Sequence, residues 1–133
     1  MANDNMRVRC GVDIVDVKRI EKAIGANGSF AAKIFTEAEI EYCESKKAGK
    51  YRSYAARFAA KEAFTKALGV GLYNGAALTD IEVVNDGAYG EPALALRGGA
   101  AELYKEKGGA SLSVSLSHTD DAAIAIVVML CGE

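Results

Sequence analysis

The segment from Tyr51 to Leu68 contains neither glycine nor proline and is rich in alanine, so it predicts the longest helix of the chain. Gly69-Val70-Gly71 ends it. A chain of 133 residues has material for one compact domain, spanning 1–133, and too little for two. The remaining elements must therefore pack around this rod. Alanine supplies 24 residues against 10 aromatics, so the core of a single copy is thin. Such a core favours close backbone packing and leaves room for an oligomer interface to add buried area.

Ahead of the long helix, Val8, Cys10, Val12 and Ile14 fall on alternate positions, the pattern of a half-buried strand. Arg9, Gly11 and Asp13 then occupy the opposite face. Asp16 is placed to cap a helix whose Val17, Ile20 and Ile24 share one side, and Gly25 to Gly28 stops it. A short helical segment covers Phe30 to Phe35, and Thr36-Glu37-Ala38-Glu39 reads as a capping box opening a helix to about Ser45. Beyond the long helix, strands are predicted at Ile81 to Asn85 and Ala93 to Leu96, with a turn at Asp86-Gly87 and Pro92 suited to a strand start. A short amphipathic helix, Ala100 to Lys107, follows. Leu112, Val114 and Leu116 alternate with serines, and Ala122 to Leu130 reads as a buried closing strand. The order β-α-α-α-β-β-α-β-β gives an α+β fold with a mixed or antiparallel sheet packed on the long helix.

Several function classes are excluded. The longest mostly apolar run, Ala122 to Cys131, is ten residues, half of what a membrane-spanning helix needs. The opening Met-Ala-Asn-Asp-Asn lacks a signal-peptide profile. Cys10, Cys43 and Cys131 are odd in number and, with His118 as the only histidine, make neither a disulfide framework nor a zinc site. A reducing cytoplasm is the expected compartment. The charge is asymmetric: residues 1–66 carry 13 Lys/Arg and 9 Asp/Glu (+4), residues 67–133 carry 3 and 9 (−6). The first half thus suits an anion or an acidic protein, although solvated helix faces explain it equally well. Nucleic acid is disfavoured, since no basic run exceeds two residues.

Three places carry candidate chemistry. Asp13 sits on a strand between Val12 and Ile14, where a carboxylate is costly unless paired or metal-bound; an outward position on an edge strand is the plainer alternative. Arg57-Phe58-Ala59-Ala60-Lys61-Glu62-Ala63-Phe64-Thr65-Lys66 is the densest polar cluster, with Arg57 and Lys61, and Glu62 and Lys66, each four apart on a helix side. Cations beside one carboxylate suit a phosphorylated ligand and a divalent metal, and an ordinary helix ion pair is the competing account. His118 ends the serine-rich strand. No GxSxG elbow is present, so a serine hydrolase triad is disfavoured and His118 reads as a phosphate-binding or a structural histidine.

Together these segments resemble the bacterial holo-acyl-carrier-protein synthases, the small trimeric group of phosphopantetheinyl transferases. The resemblance rests on Gly11-Val12-Asp13-Ile14-Val15 with Arg19-Ile20, on Phe35-Thr36 with Glu39, and on Arg57-Phe58-Ala59-Ala60-Lys61-Glu62-Ala63. Gly90-Glu91-Pro92 and Ser115-Leu116-Ser117-His118 corroborate it. It implies transfer of the phosphopantetheine arm of coenzyme A to a serine of an acyl carrier protein for fatty acid biosynthesis, releasing adenosine bisphosphate. It further implies Mg²⁺ held by Asp13 and Glu62, with Glu62, Asp13 and Lys66 as the catalytic set. Arg57, Lys61 and His118 would contact coenzyme A, Arg19 and Lys22 the carrier protein, and active sites would lie at the boundaries of a homotrimer. A metal-dependent coenzyme A pyrophosphate hydrolase and a non-catalytic trimeric coenzyme A-binding protein are the alternatives.

Overall fold

The computed structural model describes residues 5–71, 77–86 and 88–132. The expected order holds once the short segment at Phe30 is counted as a further helix, giving four before the second strand: β1 (Arg7–Asp16), α1 (Val17–Ala26), α2 (Phe30–Ile34), α3 (Glu37–Glu44), α4 (Lys50–Leu68), β2 (Ile81–Asp86), β3 (Glu91–Leu96), α5 (Gly98–Glu106), β4 (Gly109–His118) and β5 (Ala122–Cys131). The brief segment at α2 is helical too. Two antiparallel sheets form, one ordered β1-β5-β4 and the other a β2-β3 hairpin. Of the hairpin turn expected at Asp86-Gly87, Gly87 lies outside the described residues. Pro92 takes the second position of β3, opposite Asn85.

Helix α4 is the centre of the molecule. Ala55, Ala56, Ala59, Ala60, Ala63 and Ala67 are all buried, so the helix is enclosed by the sheet and the smaller helices rather than presenting one apolar stripe. Its small side chains let β1 approach closely. A Cβ added at Gly11 would collide with the Ala63 carbonyl oxygen and lie 2.6 Å from the Ala67 nitrogen, so only glycine fits there. The last turn is fully satisfied. Gly69, at φ 77°, donates to the Lys66 carbonyl, Val70 donates to that of Thr65, and the Arg9 guanidinium takes those of Ala67 and Leu68, each at 2.9 Å.

Two strand readings are corrected. On β1 the face against α4 is Arg9, Gly11, Asp13 and Val15, while Val8, Val12 and Ile14 are 69%, 51% and 68% exposed and Cys10 is exposed beside them. Alternation identifies a strand but not which side a helix will cover, and the glycine decides it. Strand β5 is likewise buried only on alternate residues: Ala123, Ala125, Val127, Met129 and Cys131 face α4, and Ile124, Ile126, Val128 and Leu130 do not. The sheet therefore carries an uncovered apolar face. Asp16 occupies the N-cap position of α1 but its side chain makes no capping bond.

Candidate active site

The capping box at Thr36 forms as expected, with Glu39 N–H donating to Thr36 Oγ1 and Thr36 N–H donating to Glu39 Oε1. Glu39 does more than cap. It is buried, its Oε2 accepts from Val83 N–H at 2.8 Å, and its Oε1 accepts from Lys61 Nζ at 2.7 Å. Lys61 Nζ donates its two other hydrogens to the Leu78 and Ile81 carbonyls at 3.0 and 2.6 Å. Burial pushes the Lys61 ammonium down in pKa and Glu39 pulls it back up. With 0% exposure and every donor occupied, Lys61 has nothing to offer a phosphate. The expectation of a cofactor contact at Lys61 is corrected: this lysine bolts α3, α4 and β2 together.

The next residue of α4, Glu62, points to a different side of the helix and meets Asp13 across the narrow gap that Gly11 permits. Lys66 Nζ lies 3.1 Å from Asp13 Oδ1 and also donates to the Val12 carbonyl. The ordinary helix pair of Glu62 with Lys66 is thus replaced by a bridge from Lys66 to the strand. Glu62 is raised to about 7, first by burial and then by the Asp13 carboxylate, while Lys66 and Arg19 pull it the other way. Asp13 Oδ2 is buried and without a hydrogen-bond partner. Beyond the Lys66 contact, the two facing carboxylates can be bridged only by a proton or a cation, so a divalent cation would satisfy both once Glu62 ionises. Among the described residues no group of three or more His, Cys, Asp and Glu converges. Two carboxylates with open positions fit Mg²⁺, which keeps water and phosphate oxygens as its other ligands.

The second half of the site lies toward the start of α4. A cavity of about 610 Å³ is lined by Tyr42, Lys46, Arg52, Arg57, Asn85 and His118 among others. Arg57 is buried; its Nη2 donates to Asn85 Oδ1 at 2.6 Å, its Nη1 to Ser53 Oγ at 3.3 Å, and its guanidinium stacks 4.0 Å from the Tyr42 ring centre. Its Nε is the other buried side-chain polar atom, with Asp13 Oδ2, left unpaired among the described residues. His118, at the exposed end of β4, reaches the same cavity. Arg57 and Glu62 are five residues apart, about 7.5 Å along one helix, so α4 ties the cationic cavity to the carboxylate pair.

Arg19 and Lys22 are exposed on α1. Arg19 lies near enough to Glu62 to affect it. Sequence reasoning did not find Tyr42, Lys46, Arg52 and Asn85 as cavity residues. The basic cluster Lys46, Lys47, Lys50 and Arg52 before Arg57 was a usable signal for part of that set.

The sequence profile of the 4′-phosphopantetheinyl transferase superfamily matches residues 9–127. The fold and this match make the chain a member of that superfamily. Within it, the chain is an enzyme belonging to the holo-[acyl-carrier-protein] synthases. It is 50% identical over 129 residues to the holo-[acyl-carrier-protein] synthase of Ruminiclostridium cellulolyticum, covering 96% of each chain. It superimposes on the Neisseria meningitidis synthase with a TM-score of 0.81 at 33% identity, covering 91% of this chain and 96% of that one. The Helicobacter pylori synthase, solved in complex with coenzyme A, aligns with a TM-score of 0.77 at 34% identity, over 90% and 98% of the two chains.

Proposed function

We propose that this enzyme transfers the phosphopantetheine arm of coenzyme A to a serine of an apo acyl carrier protein, releasing adenosine bisphosphate, in cytoplasmic fatty acid biosynthesis. The observation that carries this reading is the location of the two orphaned buried polar atoms. Asp13 Oδ2 and Arg57 Nε fall at the carboxylate pair and in the cationic cavity, where a metal and a phosphate would satisfy them.

Asp13 and Glu62 would hold Mg²⁺, which when bound supplies neutralisation of charge on the pyrophosphate oxygens. Lys66, already at the carboxylate pair, adds a cation on the same side. Arg57 and His118 orient the 3′-phosphate region of coenzyme A, with Arg57 fixed by Asn85, Ser53 and Tyr42 so that little is lost on binding. Glu62, ionised when the metal is bound, accepts the proton of the carrier serine, and Asp13 is the alternative acceptor. Arg19 and Lys22, exposed on α1, meet an acidic helix of the carrier protein. Chain 1–133 acts as one domain within a homotrimer. The uncovered face of β1 and β5, including Val8, Val12 and Ile14, supports burial against further copies.

The test mixes the protein, Mg²⁺, coenzyme A and an apo carrier protein and reads the carrier mass. A gain equal to the arm is expected. No gain with any divalent metal overturns the proposal, and free phosphopantetheine without a labelled carrier indicates a hydrolase instead.

A further inference from the structure

Arg52 and Asp120 form an ion pair at the edge of the cavity, with Nη1 donating to Oδ1 at 2.6 Å. Arg52 belongs to the cavity wall, and the wall, formed with Lys46, Arg57 and His118, contains no carboxylate among the described residues. Asp120 stands just outside it, in the turn from β4 to β5, two residues beyond His118. The guanidinium of Arg52 lies along the rim: its Nη2 is 3.0 Å from where a Cβ on Gly49 would sit. The cations differ in how they are held. Arg57 is locked by Asn85, Ser53 and the Tyr42 ring, and Lys46 Nζ sits over that ring too, 4.6 Å from its centre. Arg52 is held only by a carboxylate that is 88% exposed, an ion pair of the weak, water-competed kind.

We propose that Arg52 is a further phosphate-binding residue of this cavity, and that it exchanges the Asp120 carboxylate for a phosphate of the bound nucleotide. A phosphate carries more charge than a carboxylate and accepts the planar guanidinium fork in the same bidentate manner. Because the cavity is dominated by positive side chains, the incoming anion meets a stronger field than Asp120 does at the rim. Asp120 therefore acts as a built-in competitor that occupies Arg52 and softens nucleotide affinity. The inference rests on reading the cavity as the coenzyme A site.

The two variants have opposite signs, which separates this account from a structural tie between α4 and the β4–β5 turn. Adenosine 3′,5′-bisphosphate is titrated calorimetrically into wild type, Arg52→Ala, Arg52→Lys and Asp120→Asn, with thermal melting to check that each is folded. Arg52→Ala is expected to weaken binding about 10-fold, with Arg52→Lys intermediate. Asp120→Asn is expected to tighten it about 2- to 5-fold. The KM for coenzyme A should follow the same directions with kcat unchanged. Weakening by both Arg52→Ala and Asp120→Asn, or no change in either, overturns the exchange. Failure of the wild type to bind the nucleotide overturns the functional reading, and this proposal with it.

Discussion

Helix α4 presents two lysine–carboxylate contacts that differ in every respect except chemistry. Lys61 and Glu39 meet in the interior at 2.7 Å, and the carboxylate and ammonium groups have further partners in Thr36, Val83, Leu78 and Ile81. Lys66 and Asp13 meet at 3.1 Å near the surface, with Asp13 Oδ2 unpaired and a second carboxylate, Glu62, against it. The first contact is closed: nothing can be added without removing something. The second has acceptor capacity to spare and an unfavourable concentration of negative charge. A saturated buried pair holds a fold in one arrangement, whereas an unsaturated one is a binding site that the fold tolerates at some cost.

The largest expected effect tests the open contact. Asp13→Ala or Glu62→Ala should lower carrier labelling by about 10³-fold, since the charge neutralisation of the leaving group depends on both. Each variant should remain folded, because removing one carboxylate of a repelling pair relieves strain in the apo protein. Full activity in either variant would refute the assignment of those residues. Lys61→Met breaks the closed contact and should behave oppositely. It leaves Glu39 as a buried charge with its cation gone and should destabilise the fold by about 3 kcal/mol in urea titration. The Mg²⁺ concentration for half-maximal activity should not move in that variant.

A smaller effect concerns pH. The folded-state pKa of Glu62, about 7, lies above its ordinary value of 4.5, so between these values the folded protein retains a proton that the unfolded chain has lost. Its contribution to stability is therefore complete below pH 4.5 and is lost as the pH rises toward 7 and beyond. Without divalent metal, the melting temperature should include a decline across that window, and Glu62→Gln should flatten it. An identical profile in the variant would mean that Glu62 is not the group responsible.

Much of the fold was legible because local patterns sufficed. The Thr36–Glu39 capping box, the Gly69 helix stop, and the β4 alternation of Leu112, Val114 and Leu116 with serines all depend on neighbours in sequence. The orientation of β1 was not legible in that way. Val8, Cys10, Val12 and Ile14 are the more apolar set, yet the helix covers Arg9, Gly11, Asp13 and Val15, because close approach at Gly11 outweighs side-chain hydrophobicity. Lys61 was misread for a related reason. From sequence it is one more cation four residues from Arg57, and only Glu39, 22 positions earlier, turns it inward. At the candidate site, Asp13, Glu62, Lys66, Arg57 and His118 are legible in the sequence through residue chemistry and family resemblance. The cavity residues Tyr42 and Asn85 come from separate elements that only the tertiary fold brings beside Arg57.

The central claim, that Asp13 and Glu62 together make one divalent-cation site, is tested most directly by measuring protons released on Mg²⁺ binding. Calorimetric titrations at pH 6.5 in buffers of different ionisation enthalpy give that number without coenzyme A or carrier protein. Wild type should release a substantial fraction of a proton, because Glu62 is largely protonated just below its pKa of about 7 and must ionise to bind. The release should vanish in Glu62→Gln, and binding should weaken sharply in Asp13→Asn. Binding of Mg²⁺ with no proton release, unchanged by either substitution, would contradict the account.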